Sequence, residues 1–192
     1  MTEPPQIVQA ANQRAEELDF DMSCEPGVGQ LLAVLAAAVP ANGRILELGT
    51  GAGVGLSWLV SGLRERTDVE VVSVDIDPKV LERVAADSWP DFVRLELGEG
   101  GELVDRLGKF NLVFPDEPGS KFDNFEGSIA ALRAGGVLVL DDLYLIDEPE
   151  SSYREPLIEM RDQVLQDARL VEVDLPTSSG ILLATRLAES AA

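Results

Sequence analysis

The sequence predicts an α/β fold: a seven-stranded, mostly parallel sheet that finishes in an antiparallel C-terminal hairpin, with helices on both faces. Three observations carry that expectation. Short apolar runs at Arg44–Leu48, Val69–Val74, Val93–Leu97, Asn111–Phe114 and Gly136–Leu140 alternate with helical stretches, as parallel strands joined by crossover helices do. Two more strand-like segments, Arg169–Leu175 and Gly180–Thr185, are separated only by Pro176-Thr177-Ser178-Ser179. A parallel crossover needs about ten residues or more, so these two must form a hairpin, with the final strand running antiparallel. Finally, the first run leads straight into Gly49-Thr50-Gly51-Ala52-Gly53-Val54-Gly55 and a helix carrying Leu56, Trp58, Leu59 and Leu63. Such a strand-to-helix turn lies at the carboxyl edge of the sheet, where open α/β folds bind ligands.

Ahead of the first strand, residues 1–40 supply N-terminal helices. Ile7–Leu18 can form one, and Gly29–Val39 forms a stronger one whose Leu31, Leu32, Val34, Leu35 and Val39 make a broad apolar surface before Pro40 and Gly43 end it. A last helix is expected from about Ser152 to Asp167, ahead of the hairpin. There is no internal repeat or long linker. The 192 residues, 45% hydrophobic, read as one domain, 1–192, with a frayed tail over Leu187–Ala192.

Met1–Phe20 is polar and acidic, and no segment reaches the roughly 18 apolar residues that cross a bilayer, so a cytoplasmic protein is expected. The single cysteine, Cys24, cannot form an internal disulfide. Histidine is absent, which removes the commonest general base and transition-metal ligand; catalysis must use carboxylates, lysine, tyrosine or an oxygen-bound metal. With 35 acidic and 15 basic residues the formal charge is −20, a field that repels phosphate backbones and anionic membranes. Neither nucleic acid nor a membrane is an expected partner.

A glycine turn alone suits a dinucleotide nearly as well as any other ligand. Glu47 decides between them: a carboxylate just before the turn is badly placed beside a pyrophosphate and well placed beside an ammonium group. The spacing also misses G-x-G-x-x-G, because the third glycine comes one position early. Both features favour S-adenosylmethionine, which carries an ammonium and a sulfonium and no phosphate, cradled by Gly49, Thr50, Gly51 and Gly53. The second strand runs into Asp75-Ile76-Asp77-Pro78. Asp75, with Ile76 beside it, suits the ribose hydroxyls, and Asp77 before a proline suits a helix cap. After the third strand, Gly98 and Glu99 stand where an adenine would lie.

The fourth strand ends at Phe114-Pro115-Asp116 and the fifth at Leu140-Asp141-Asp142. Carboxylates at the ends of neighbouring parallel strands converge, and all-oxygen ligands suit Mg²⁺, Mn²⁺ or Ca²⁺. The plainer reading leaves Asp141 and Asp142 as solvated loop acids and Asp116 as a cofactor contact. Lys121 is a candidate general base if burial and the metal depress its pKa, and otherwise a surface lysine.

Together these residues resemble the metal-dependent O-methyltransferase family that includes catechol O-methyltransferase and the caffeoyl-CoA-type enzymes. The resemblance runs from Met22 to Thr185 and rests on Met22-Ser23-Cys24-Glu25-Pro26, Gly29-Gln30-Leu31-Leu32, Ile45-Leu46-Glu47-Leu48-Gly49, Val74-Asp75-Ile76-Asp77, Phe114-Pro115-Asp116, Gly135–Asp142 and Ser179-Gly180-Ile181. It implies a Rossmann-like methyltransferase fold, cofactor contacts from Ser23, Glu47, Gly49, Asp75 and Glu99, a divalent metal on Asp116, Asp141 and Asp142, and a homodimer. Two departures stand out. The family's lysine usually follows the metal acid by three residues, whereas Lys121 follows Asp116 by five, and the pair that is often Asp-Asn is Asp141-Asp142 here. The function this implies is O-methylation of a small-molecule hydroxyl with metal assistance. The alternatives are metal-independent methylation of nitrogen, carbon or a carboxylate, cofactor binding without transfer, and an NAD-dependent dehydrogenase; Glu47 and the hairpin argue against the last.

Overall fold

The computed structural model describes residues 3–188. Strands β1 (Arg44–Leu48), β2 (Glu70–Asp75), β3 (Val93–Leu97), β4 (Phe110–Pro115) and β5 (Leu132–Leu140) run parallel. Strands β6 (Leu170–Leu175) and β7 (Ile181–Arg186) form the hairpin, and β7 lies antiparallel to both β5 and β6. The sheet order is β3-β2-β1-β4-β5-β7-β6.

Alternation along the strands builds two cores. Ile45, Val71, Leu112, Phe114 and Val139 face one side, under α1 (Gln6–Glu17), α2 (Pro26–Ala38), α3 (Val54–Leu63) and α4 (Pro78–Ala85). Leu46, Leu48, Val72, Val74, Val113, Leu138 and Leu140 face the other, under α5 (Gly100–Leu107), α6 (Phe125–Ala130) and α7 (Arg154–Gln166). Strands buried on both faces read as continuous apolar runs, which is why they were legible. Glu47 and Ser73 interrupt those runs on the first face, at the positions that alternation assigns them.

Helix α2 begins three residues before its expected start, with Pro26 in its first turn, where a missing N–H costs nothing. Strand β5 begins earlier than Gly136, with a register irregularity against β4 between Phe110 and Leu112. The Leu187 amide donates to the Arg169 carbonyl at 2.7 Å, so the expected frayed tail starts after a residue that still belongs to the sheet edge. Residues 189–192 of that tail lie outside the described residues. Among the described residues no helix is long and apolar enough to cross a membrane.

The feature that positions the site is the reversal of strand order. From β1 the chain moves outward through β2 and β3, and β4 returns to β1's other side before β5 continues the opposite way. A crevice opens at such a switch point, beyond the carboxyl ends of β1 and β4.

Candidate active site

The glycine loop after β1 turns over the end of β2. Gly49 and Thr50 both donate their amides to the Val74 carbonyl at 2.9 Å, and the Gly51 amide donates to Asp75 Oδ2 at 2.7 Å. Gly49 sits at φ +104°, and a Cβ there would meet the Asp116 carbonyl oxygen at 2.6 Å, so only glycine lets the loop approach β4 this closely. The loop walls a cavity of about 410 Å³ together with Glu47, Asp75, Asp116 and, from the N-terminal segment, Phe20 and Ser23.

Glu47 is 1% exposed. Its Oε2 accepts a 2.5 Å hydrogen bond from Ser73, whose hydroxyl is in turn 2.6 Å from that of Thr50. The missing side chain of Gly55 leaves room for Oε1, which a Cβ there would meet at 2.3 Å. No ion pair among the described residues reaches Glu47. Burial, together with the neighbouring Asp75, pushes its carboxyl up to about 8 against the pull of the Ser73 bond. Glu47 is thus a buried acid on a cavity wall whose hydrogen-bond partner is a single hydroxyl.

Asp75 is half-buried, and its two oxygens each accept one backbone bond, from Gly51 and Asp77. Asp77 caps α4 by accepting from the Lys79 amide, as its place before a proline suggested. Ile76, Gly98 and Glu99 stand at the same sheet edge but do not wall the cavity. Ile76 is exposed, and the Glu99 carboxylate caps α5, accepting from the Gly101 and Glu102 amides at 3.1 and 2.7 Å. Ser23 contributes a buried hydroxyl with no partner.

A second cavity, of about 350 Å³, adjoins the first across Ser23, Cys24 and Asp116. Asp116, Asp141 and Asp142 converge there, with carboxylate oxygens within 4.8 Å of one another. Lys121 is nearly buried among them, its Nζ 3.0 Å from Asp141, 3.5 Å from Asp116 and 3.7 Å from Asp142. Lys121 lies within a wide π turn, Gly119–Asp123, whose amides at Gly119 and Ser120 are capped by Glu117. The unusual spacing therefore still delivers the lysine to the acids. Phe122, stacked on Tyr153 with centroids 6.1 Å apart, forms an aromatic wall of the same cavity.

The surroundings of Lys121 correct its reading as a surface lysine. Burial pulls the Lys121 ammonium toward neutrality, but Asp141, Asp116 and Asp142 together outweigh it and raise the pKa well above the ordinary value. Lys121 is therefore not a surface lysine but a buried one, paired with three acids. The Asp116 carboxyl is pushed up by burial and then by Asp141, partly countered by Lys121, and Asp142 is raised for the same reasons. The Cys24 thiol, raised by burial and by Asp116, stays unionised. Three hard oxygen donors of this kind fit Mg²⁺, Mn²⁺ or Ca²⁺.

Sequence reasoning missed two residues that shape the loop. Ser73 left a signal, a hydroxyl in an apolar strand on the same face as Glu47. Arg14 left none, being one of several polar residues on α1, yet it is 6% exposed and donates from Nε to the Ala52 carbonyl at 2.8 Å.

Comparison with known proteins agrees with this geometry. Residues 46–143 match a family model described as a methyltransferase domain. A relative from Mycobacterium sp. (strain JLS), described as "Putative O-methyltransferase", is 32% identical over 198 residues, covering 94% of this chain and 86% of its own length. A relative from Mycobacterium tuberculosis (strain ATCC 25177 / H37Ra) with the same description is 32% identical over 195 residues, covering 94% and 84%. Among solved structures, the O-methyltransferase TomG from Streptomyces achromogenes, in complex with SAM, matches with a TM-score of 0.82 at 20% identity over 98% of this chain and 92% of its own. At that identity the likeness speaks for the fold.

Proposed function

The chain belongs to the class I S-adenosylmethionine-dependent methyltransferases, and from that premise we propose that it methylates a hydroxyl oxygen of a small-molecule acceptor with divalent-metal assistance. The observation that carries the cofactor side is Glu47, a buried carboxyl on a cavity wall whose partner is the Ser73 hydroxyl. The cofactor's ammonium supplies the missing cation, the glycine loop accommodates its close approach, and the remaining lone pairs of Asp75 accept from ribose hydroxyls. The unpartnered Ser23 hydroxyl gains its bond at the junction of the two cavities. The solved complex of TomG with SAM and that of the Bacillus cereus O-methyltransferase with SAH support this reading.

The acceptor enters the second cavity, beside Phe122 and Tyr153 and next to Asp116, so that its oxygen faces the methyl-bearing end of the first. Proximity and in-line orientation supply most of the rate. A divalent metal held by Asp116, Asp141 and Asp142 supplies Lewis acidity that lowers the pKa of the acceptor hydroxyl. The relatives' description as O-methyltransferases supports the choice of oxygen.

One observation favours a second reading: the Lys121 ammonium already pairs with the acids at 3.0 to 3.7 Å. In a metal-free enzyme Lys121 orients the acceptor by donating a hydrogen bond, and an ionised carboxylate of the cluster takes the acceptor's proton and becomes the neutral acid. Titration calorimetry with S-adenosylmethionine tests the shared core; no binding by protein that binds NAD sinks it. Loss of turnover in EDTA, restored by Mg²⁺, selects the metal-assisted reading, and turnover indifferent to EDTA selects the other. We read residues 1–192 as one cytoplasmic domain that pairs as a homodimer, supported by exposed Val34 on α2 and Val171 and Val173 on the edge strand β6. A monomer mass by light scattering would remove the dimer.

A further inference from the structure

Helix α1 lies outside residues 46–143, yet one of its side chains reaches the glycine loop. Arg14 is a buried arginine whose three nitrogens do three different things. Nε donates to the Ala52 carbonyl at 2.8 Å, Nη1 pairs with Asp87 just beyond α4, and Nη2 is buried without a partner. Nη2 lies where a Cβ on Gly53 would meet it at 3.0 Å, and Gly53 sits at φ +78° as the residue that starts α3. The loop is therefore gripped from two sides: Asp75 takes the Gly51 amide at its cavity face, and Arg14 gives a bond to the Ala52 carbonyl from behind. The backbone takes a positive φ at Gly51, between those grips, and again at Gly53, just after them, a path that a free glycine-rich segment leaves readily because glycine loses the most backbone freedom on ordering.

We infer that Arg14 is a positioning residue for the cofactor: it latches the far side of the glycine loop, so that α1 sets cofactor affinity without touching the cofactor. This rests on the reading of that loop as the S-adenosylmethionine site. A latch of this kind acts on binding and not on the transfer step, because the acceptor side is built on β4, β5 and the turn at Gly119–Asp123. Its partner Asp87 is 42% exposed, so that ion pair anchors the guanidinium while the Ala52 bond does the positioning.

The test compares Arg14→Gln, Arg14→Lys and Asp87→Asn. Arg14→Gln is expected to weaken S-adenosylmethionine binding roughly tenfold or more, the range for a lost charge-assisted bond, and to raise its KM in step while kcat at saturating cofactor stays within about twofold. Arg14→Lys keeps the charge but reaches one partner at a time and falls between. Asp87→Asn lowers the midpoint of unfolding with cofactor affinity near that of the parent. Unchanged affinity in Arg14→Gln, or an equal loss in Asp87→Asn, overturns the latch in favour of a plain structural ion pair. Should Arg14→Gln not fold, Arg14→Lys decides by hydrogen exchange without cofactor. Faster exchange than the parent at the Gly51 and Gly53 amides supports the latch, and identical exchange overturns it. If the parent binds no S-adenosylmethionine, the functional reading of the loop fails, and the same exchange measurement still judges the latch.

Discussion

Two acidic sites stand side by side at the carboxyl edge of the sheet, one at the end of β1 and one at the ends of β4 and β5, and they are partnered in opposite ways. Glu47 has one hydroxyl partner, Ser73, with Thr50 beyond it, and burial pushes its carboxyl up to about 8. The Asp116, Asp141 and Asp142 cluster has a cation of its own, Lys121, delivered by the π turn. The difference teaches which half waits for its charge and which half brings it. A carboxyl left without a cation costs little while protonated and can take up an incoming ammonium. Three acids around one lysine have a cation in place but still an excess of negative charge, and a metal arriving there must share the acids with the ammonium.

The sharpest way to break this comparison is to remove the built-in cation. Lys121→Met leaves Asp141 and Asp116 without a counter-charge and is expected to cost about 3–5 kcal/mol in denaturant unfolding, the range for breaking a buried pair from one side. Glu47→Gln at pH 7 should cost far less, because the parent side chain is already neutral there. Equal losses would mean that both clusters carry a structural cation. Cofactor binding reverses the ranking. Glu47→Gln removes the acid that meets the ammonium and is expected to weaken S-adenosylmethionine binding ten- to a hundredfold, about 1.4–2.8 kcal/mol. Calorimetry on the parent and the variant reads this directly.

The smallest effect is a slope with pH. Glu47 titrates near 8 in the folded protein against an ordinary 4.5, so between those values the native state holds a proton that the unfolded chain has lost. Stability of the cofactor-free protein is therefore full below about pH 4.5 and declines as pH rises toward 8, by at most about 1.4 kcal/mol per pH unit from this group. Subtracting the Glu47→Gln curve isolates that slope. A parent and variant that run parallel from pH 5 to 8 would show Glu47 already ionised in the empty site.

How much of this was legible depended on whether the cause was local. The strand runs, the four-residue hairpin turn and the glycine loop are stretches in which each residue's role follows from its neighbours in sequence. Asp77 could be recognised as a cap because capping is read from the next few residues, and Pro78 sits in that helix's first turn. Glu99 looked equally available to a ligand, but the same local chemistry turned it onto the Gly101 and Glu102 amides. The setting of Lys121 was out of reach of the sequence. Burial was visible as a possibility, but the three acids that outweigh it come from the ends of β4 and β5, up to 21 residues away in the chain. Arg14 was silent altogether, since its partners Ala52 and Asp87 lie 38 and 73 residues away.

The sequence by itself determined the strand inventory, the antiparallel finish, the glycine turn and which acids sit at strand ends, because periodicity and spacing act within a few residues along the chain. Only the tertiary structure decided which of those acids are buried, which are already paired and what grips the loop. Desolvation and Coulomb attraction act through space, and the distances they depend on exist only once β1 and β4 lie side by side at the switch point.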